Sequence, residues 1–274
     1  MAAVHTQALV LRAVDFGESD RIVHLLTPRT GRIAAIAKGA RRSRRRFPGT
    51  LDFFNRLRVQ LERRPRSAMA RLEHAALEGV YPSLRTEPPR FALGCYLLEL
   101  LDRLAPGGGA AADLRRLFDF AVGAFAALER TPPDLRLRTL LELRALDALG
   151  LRPELRRCVR CGEPAAGPEV GFHVPDGGPL CDPCRRPGEP LLPVALGTLR
   201  ALERGLHLEL AALDRLMLDR RSLGEARLLV GRFQRFHVGL ELRSERFLDG
   251  IMGAAAPAPA PSRRAGRPPA PRVD

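Results

Sequence analysis

The sequence predicts an α+β chain in which an all-β unit leads into helices that carry a cysteine-rich insert. Three observations support this. Apolar residues alternate in short runs over residues 3–78, then recur at helical spacing after Tyr81-Pro82, and four of the five cysteines fall in two Cys-x-x-Cys pairs. At 274 residues the chain can bury two ordinary cores, so two domains are expected.

Within the first unit, Ala8-Leu9-Val10-Leu11, Ile22-Val23-His24-Leu25-Leu26, Ile33-Ala34-Ala35-Ile36 and then Leu57, Val59 and Leu61 read as strands. Thr27-Pro28-Arg29-Thr30-Gly31 has the Pro and Gly of a turn and joins the second and third runs as a hairpin. About five strands with almost no helical periodicity suit a small five-stranded β-barrel of the oligonucleotide-binding (OB-fold) type. Residues 1–80 are assigned to it.

Residues 81–252 read as a helical domain. Phe91, Tyr96, Leu97, Leu98, Leu101 and Leu104 mark one helix, stopped by Gly107 to Gly109. Leu114, Leu117, Phe118, Ala121, Val122, Phe125 and Leu128 mark a second. A third follows Thr131-Pro132-Pro133, carries Leu137, Leu140, Leu141 and Leu149, and ends at Gly150. Another is expected to begin at Ser222, with Glu225 completing a capping box. These stripes read as core, and Cys95 on the first of them as a small core residue. Residues 253–274, rich in Ala, Pro and Arg, bury too little apolar surface to offset ordering and are expected to form a disordered tail.

Lys and Arg outnumber Asp and Glu by 45 to 31, and between Met1 and Val80 by sixteen to seven. Arg in place of Lys fits a GC-rich coding bias, with Lys38 the sole lysine, but that bias does not produce the net charge. Such a field favours polyanions through counterion release. It is densest at Lys38-Gly39-Ala40-Arg41-Arg42-Ser43-Arg44-Arg45-Arg46-Phe47, between the third and fourth strands. Lys38, Arg41, Arg42, Arg44, Arg45 and Arg46 are the expected phosphate contacts on a mobile loop, with Phe47, and less directly Phe53 or Phe54, offering a face for a base. A solvated loop and barrel-core phenylalanines are the bland alternatives.

Cys158-Val159-Arg160-Cys161 is followed, after nineteen residues, by Cys181-Asp182-Pro183-Cys184, inside the window for a four-cysteine zinc site in an insert at about 155–190. Four thiolates fill a tetrahedral ion, so one structural Zn2+ is expected. A redox role for a Cys-x-x-Cys pair is the alternative, although that motif normally opens a helix in an α/β fold, whereas these pairs lie in a turn-rich segment. The intervening Gly171-Phe172-His173-Val174 and Asp176-Gly177-Gly178 read as a hairpin over the metal, with His173 a strand residue. A zinc deaminase would need an acid after that histidine; Val174 and Pro175 follow instead. Neither a Gly-x-x-x-x-Gly-Lys-Ser/Thr loop nor a Gly-x-Ser-x-Gly elbow occurs, so no catalytic residues are assigned and no enzyme is expected. The start lacks a charged region followed by a long apolar core, and the expectation is a cytoplasmic, nucleoid-associated protein without membrane contact.

In this order of parts, the chain resembles the bacterial recombination mediator family RecO. The stretches that carry the resemblance are ALVLRAVDFGESDRIVHLLTPRTGRIAAIAKGARR at 8–42, CYLLELLDRLAP at 95–106, LELRALDALGLRPELRRCVRCG at 141–162, GGPLCDPC at 177–184 and LELRSERFL at 240–248. The resemblance implies binding of single- and double-stranded DNA and strand annealing. It further implies action with RecR on DNA coated by single-strand-binding protein, whose acidic C-terminal tail would dock on the helical domain, and help in loading RecA. Without it, a zinc-containing OB-fold RNA-binding factor, or a zinc-stabilised module for an acidic partner peptide, fits the same charge.

Overall fold

The computed structural model describes residues 3–43, 45–63, 69–239 and 241–254. Five strands come first: β1 (Ala3–Phe16), β2 (Asp20–Thr27), β3 (Gly31–Ala37), β4 (Arg56–Glu62) and β5 (Ala70–Gly79). They close in the order β1-β2-β3-β5-β4. The closing seam is short: β3 and β5 pair in parallel only at Ala35↔Ala70 and Ile36↔Arg71. β1 serves two neighbours, pairing β4 through its first half and β2 through its second, and the register slips between Val10 and Arg12. Such a bulge bends and twists a strand, which lets one strand close a small barrel.

Alternation decides which side chains fill the barrel. Ile33, Ala35 and Ala37 of β3 point inward and meet Val23, Leu25, Leu57, Val59 and Leu72. The opposite face of β1 and β2 is covered by helices, since Leu9, Leu11 and Leu26 belong to the helical core instead. Thr27 to Gly31 makes the expected hairpin, with β2 ending at Thr27 and β3 starting at Gly31.

The helical part runs through α1 (Ser83–Thr86), α2 (Pro88–Leu104), α3 (Ala111–Arg130) and α4 (Leu135–Ala148). Asp134 caps α4 by accepting from the Leu137 N–H at 2.7 Å, and Gly150 closes the turn beyond it at φ +79°. A three-stranded sheet follows, β6 (Glu169–His173), β7 (Gly178–Leu180) and β8 (Leu192–Ala195), ordered β7-β6-β8. Next come α5 (Leu196–His207), α6 (Arg220–Val238) and α7 (Arg243–Ala254). β8 is too short for alternation to mark, whereas α5 carries Leu199, Leu202 and Leu206 buried at helical spacing, a stripe that was legible in the sequence but was not singled out.

α6 corrects one expectation. Its cap is Asp219, whose carboxylate accepts from the Ser222 N–H at 2.7 Å, so the helix starts at Arg220 and no capping box forms at Ser222. Glu225 is drawn away. It accepts from the Ala195 N–H at 3.0 Å and from the Thr198 hydroxyl at 2.6 Å, tying α6 to the start of α5.

Barrel and helices meet through α2 and α3. Phe54 sits at φ +64° and is wholly buried, with its ring edge-on to Phe91 and Phe125. Gly94 of α2 makes room for it: a Cβ there would lie 2.7 Å from the Phe54 ring. Beside this contact, Asp102 of α2 reaches His24 Nδ1 at 2.6 Å and accepts from Arg32 Nε at 2.8 Å. Burial acts to raise the Asp102 pKa, but the hydrogen bonds and charge of His24 and Arg32 outweigh it and hold the carboxyl below its usual range.

Candidate nucleic-acid interface and metal centre

The basic run joins β3 to β4, as its sequence position implies, but it is a folded turn rather than a free loop. Gly39 at φ +67° lets the chain reverse and present its N–H to Asp20 Oδ1 at 2.8 Å. That bond, with smaller help from Ser19 and Lys38, lowers the Asp20 pKa. Lys38 Nζ lies 3.7 Å from the same carboxylate. Arg41 donates from its backbone to Ser19 O at 3.0 Å and from its guanidinium to Glu18 O at 3.2 Å, and it lies 3.4 Å from Asp15. Arg46 donates to Lys38 O at 2.7 Å, with its guanidinium carbon 5.3 Å from the centre of the Phe47 ring. Arg42 and Arg45 are exposed and have no carboxylate partner among the described residues. Arg44 lies outside the described residues.

Phe47 is a correction. It is 4% exposed and packs with the barrel core, so its ring face is not open to a base. Burial also removes Phe54, while Phe53 is 37% exposed. The aromatic ring most open to solvent on the barrel is one the charge run did not suggest. Phe16, the last residue of β1, is 52% exposed at the tip of the β1–β2 hairpin. It directly precedes Gly17-Glu18-Ser19 and pairs with Asp20 across the turn, but nothing in the sequence set it apart from Phe47.

Between the basic turn and this hairpin lies an open cleft of about 900 Å³. Arg21, Arg41 and Arg42 line it, with Asp15 as the acid and Phe47 and Leu51 as its apolar floor. Arg21 was missed because alternation placed it within a strand, yet its guanidinium reaches across to Leu51 O at 3.2 Å and Asp15 Oδ1 at 2.8 Å. The acids of this region are thereby engaged with cations, and Arg42 is left to face solvent. An arginine-lined cleft of this kind can hold a phosphate chain without reading bases.

The four cysteines converge as their spacing implies. The Sγ atoms of Cys158, Cys161, Cys181 and Cys184 all lie within 4.8 Å of one another, and those of Cys161 and Cys181 are 3.4 Å apart. Four sulfurs around one tetrahedral ion with bonds of about 2.3 Å stand roughly 3.8 Å apart, so the cluster fits a thiolate-bound metal. Gly162 at φ +79° turns the first knuckle, and its N–H donates to Cys158 O at 2.9 Å. Val159 N donates to Pro179 O at 3.1 Å, docking that knuckle on β7. Arg160 links the two knuckles by donating to Cys184 O at 2.7 Å, to Asp176 at 2.9 Å and to Glu189 at 2.7 Å.

Electrostatics prepare the site unevenly. Burial opposes ionisation of Cys158, but backbone N–H groups of Cys181, Arg160 and Cys161 overcome it and bring the thiol down to about 6. Hydrogen bonds with Cys181 and Cys161 push Cys184 up to about 12. One thiolate thus discourages its neighbours, and a dication would relieve that repulsion. His173 ends β6, buried, with Nδ1 3.1 Å from Asp176 Oδ2, and it stands outside the thiol cluster. Cys95 packs against the helical core, and burial pushes its thiol up to about 11.

Two family models together span nearly all of the described chain. Residues 1–81 match the N-terminal model of Recombination protein O, and residues 85–246 match the C-terminal model of Recombination protein O. The chain belongs to the RecO family. A DNA repair protein RecO of Anaeromyxobacter dehalogenans is 40% identical over 252 residues, covering 92% of this chain and 98% of the relative. Similar proteins of that name occur in Pelobacter propionicus, at 33% identity over 89% of this chain and 96% of the relative, and in Myxococcus xanthus, at 35% over 88% and 95%. The residues matched by the RecO-family models include those of the arginine-lined cleft and of the thiol cluster. Among the described residues, no helix of this RecO-family chain is long and apolar enough to cross a membrane.

Proposed function

We propose that this RecO-family chain is a DNA-binding recombination mediator and strand-annealing protein in recombinational DNA repair. In this reading it acts with RecR on DNA coated by single-strand-binding protein and helps RecA to load. Residues 1–80 hold single- or double-stranded DNA, while residues 81–252 hold the metal and receive protein partners, the C-terminal tail of single-strand-binding protein among them. Its work requires no bond chemistry and belongs in the cytoplasm, on the nucleoid.

The observation that carries the reading is the cleft lined by Arg21, Arg41 and Arg42, beside exposed Arg45 and the open ring of Phe16. Cations that face solvent in a cleft release counterions when phosphates enter, and an exposed aromatic accepts a base by stacking. The name shared by the relatives, DNA repair protein RecO, supports the reading that such binding serves repair. The metal is zinc in this proposal, held by Cys158, Cys161, Cys181 and Cys184. It supplies cross-linking of two knuckles and no reaction, since four thiolates leave no open position.

An annealing assay tests the reading. Complementary oligonucleotides coated with single-strand-binding protein should anneal faster with the protein than without it, in the absence of ATP or added divalent cation. Equal rates with and without the protein would overturn it. Tighter binding to a matched RNA strand than to DNA would favour an RNA-binding factor instead.

A further inference from the structure

The four thiols of the insert are not equally sheltered. Cys158 is 3% exposed, whereas Cys161 is open to solvent and Cys181 and Cys184 are half-buried. Cys161 therefore stands at the solvent side of the cluster, with its Sγ 3.4 Å from that of Cys181 on the other knuckle. A disulfide holds its sulfurs about 2.05 Å apart, so only a small closing movement separates the two arrangements. Oxidants reach exposed thiolates and leave buried ones untouched. Cys158, the sequence neighbour of Cys161 in its own Cys-x-x-Cys, is the sheltered sulfur.

Bonds within the protein hold the two knuckles together independently of a metal. Arg160, between the cysteines of the first knuckle, donates to Cys184 O of the second, and its guanidinium also holds Asp176 and Glu189. The Val159 N–H docks on Pro179 O, two residues before Cys181. Within the second knuckle, the Cys184 N–H donates to Cys181 O at 3.0 Å. Cys161 and Cys181 thus stay within reach of each other when a metal leaves. Cys95, the fifth thiol, packs against the helical core on α2 and lies outside the cluster.

We infer that Cys161 and Cys181 form a peroxide-sensitive modification site, at which a disulfide across the two knuckles replaces the metal as the cross-link of the insert. The inference rests on the proposed zinc binding by the four cysteines. Hydrogen peroxide is the oxidant. The Cys161 thiolate attacks one peroxide oxygen, the O–O bond breaks, hydroxide leaves and a sulfenic acid stands at Cys161. The Cys181 thiolate then attacks that sulfur, the S–S bond forms, the S–O bond breaks and a second hydroxide leaves. Two thiolates together lose two electrons, and the peroxide gains them. Sulfurs joined in this way cannot also stand roughly 3.8 Å apart around one tetrahedral ion, and Cys158 and Cys184 alone do not close a four-coordinate site. The new bond closes the nineteen residues between Cys161 and Cys181 into a loop, which restricts the unfolded chain and keeps the insert folded without metal.

Titration of the zinc-loaded full chain with peroxide tests this, with released zinc read by a chromogenic indicator and sulfur pairing read by mass spectrometry. One equivalent of peroxide should release one equivalent of zinc and remove two free thiols. Trypsin cuts after Arg160 and Arg185, so Cys158 falls on one peptide and Cys161, Cys181 and Cys184 on another. Fragmentation between Asp182 and Pro183 then separates Cys181 from Cys184, and the 161–182 fragment should be lighter by two hydrogen atoms. Dithiothreitol with added zinc should restore the metal, and the oxidised chain should melt above the reduced chain stripped by a chelator. Cys95→Ala should respond as the wild type does. Cys184→Ser, which keeps both partners, should form the same bond even where it holds no metal. Zinc retained through about a tenfold excess of peroxide, a bond between Cys158 and Cys161 or between Cys181 and Cys184, a requirement for Cys95, or sulfinic acid without a disulfide would overturn the inference while leaving the metal site intact. So would an oxidised chain that melts no higher than the chelated one. Purified chain that holds no zinc would overturn the metal reading, and the inference with it.

Discussion

Gly94 shows how a single missing methyl group decides where two parts of this protein meet. Helix propensity alone favours Gly94→Ala by about 1 kcal/mol, but the added Cβ would drive into the Phe54 ring. We expect the variant to lose about 1–3 kcal/mol in denaturant unfolding, because overpacking outweighs propensity. A gain in stability would show that the ring moves freely. Phe16 makes the opposite case, an apolar residue left in water. The chain has no tryptophan, so Phe16→Trp gives a lone fluorophore at the hairpin tip. Its emission should be quenched when single-stranded DNA binds, and Phe16→Ala should weaken single-strand affinity by about 1–3 kcal/mol. Binding without quenching would take the strand elsewhere on the barrel.

At the scale of elements, the basic turn and the metal insert separate charge from folding. Arg42 and Arg45 make no ion pair among the described residues, so Arg42→Ala/Arg45→Ala should change stability by less than about 0.5 kcal/mol. The same variant should lower the slope of log affinity against log salt by about 1.4 for single strands, uniformly across sequences. A loss confined to some sequences would mean that the turn reads bases. The insert should behave in reverse. At a four-thiolate site, metal binding is folding energy, so Cys181→Ser or strong chelation should lower the melting temperature by roughly 5 °C or more before DNA affinity falls. Purified protein is expected to hold one equivalent of zinc through Cys158, Cys161, Cys181 and Cys184, and less than about half an equivalent would count against the site.

Across the whole molecule, the joint between barrel and helices carries a titratable clasp. Asp102 has its pKa lowered in the fold by His24 and Arg32 against the effect of burial, so the folded state binds its proton less readily than the unfolded chain does. Its contribution is therefore complete above the unfolded value of about 4 and is lost as pH falls through the lower folded value. The stability difference between the wild-type protein and Asp102→Asn should be present at about pH 5 and shrink below about 4. A difference that instead vanished as pH rose would place the clasp's titration on another group.

Sequence alone determined the features that rest on local rules. Alternation marked the strands of the barrel, the Pro and Gly of residues 27–31 marked the hairpin, and Cys-x-x-Cys spacing marked the thiol cluster, because a short chain segment sets each of these geometries by itself. Tertiary structure decided the rest. It was packing that put Phe47 into the barrel core and left Phe16 outside, since both are aromatic and only the neighbouring strands distinguish them. Glu225 stood where a capping box would use it, yet the start of α5 offered it an N–H and a hydroxyl, and Asp219 capped α6 instead. Charge showed that the chain suits a polyanion, but which arginines are free to meet one depends on which carboxylates the fold brings within reach, and Asp15 and Asp20 of the β1–β2 hairpin reach Arg41 and Lys38 only because the fold sets that hairpin beside the turn after β3.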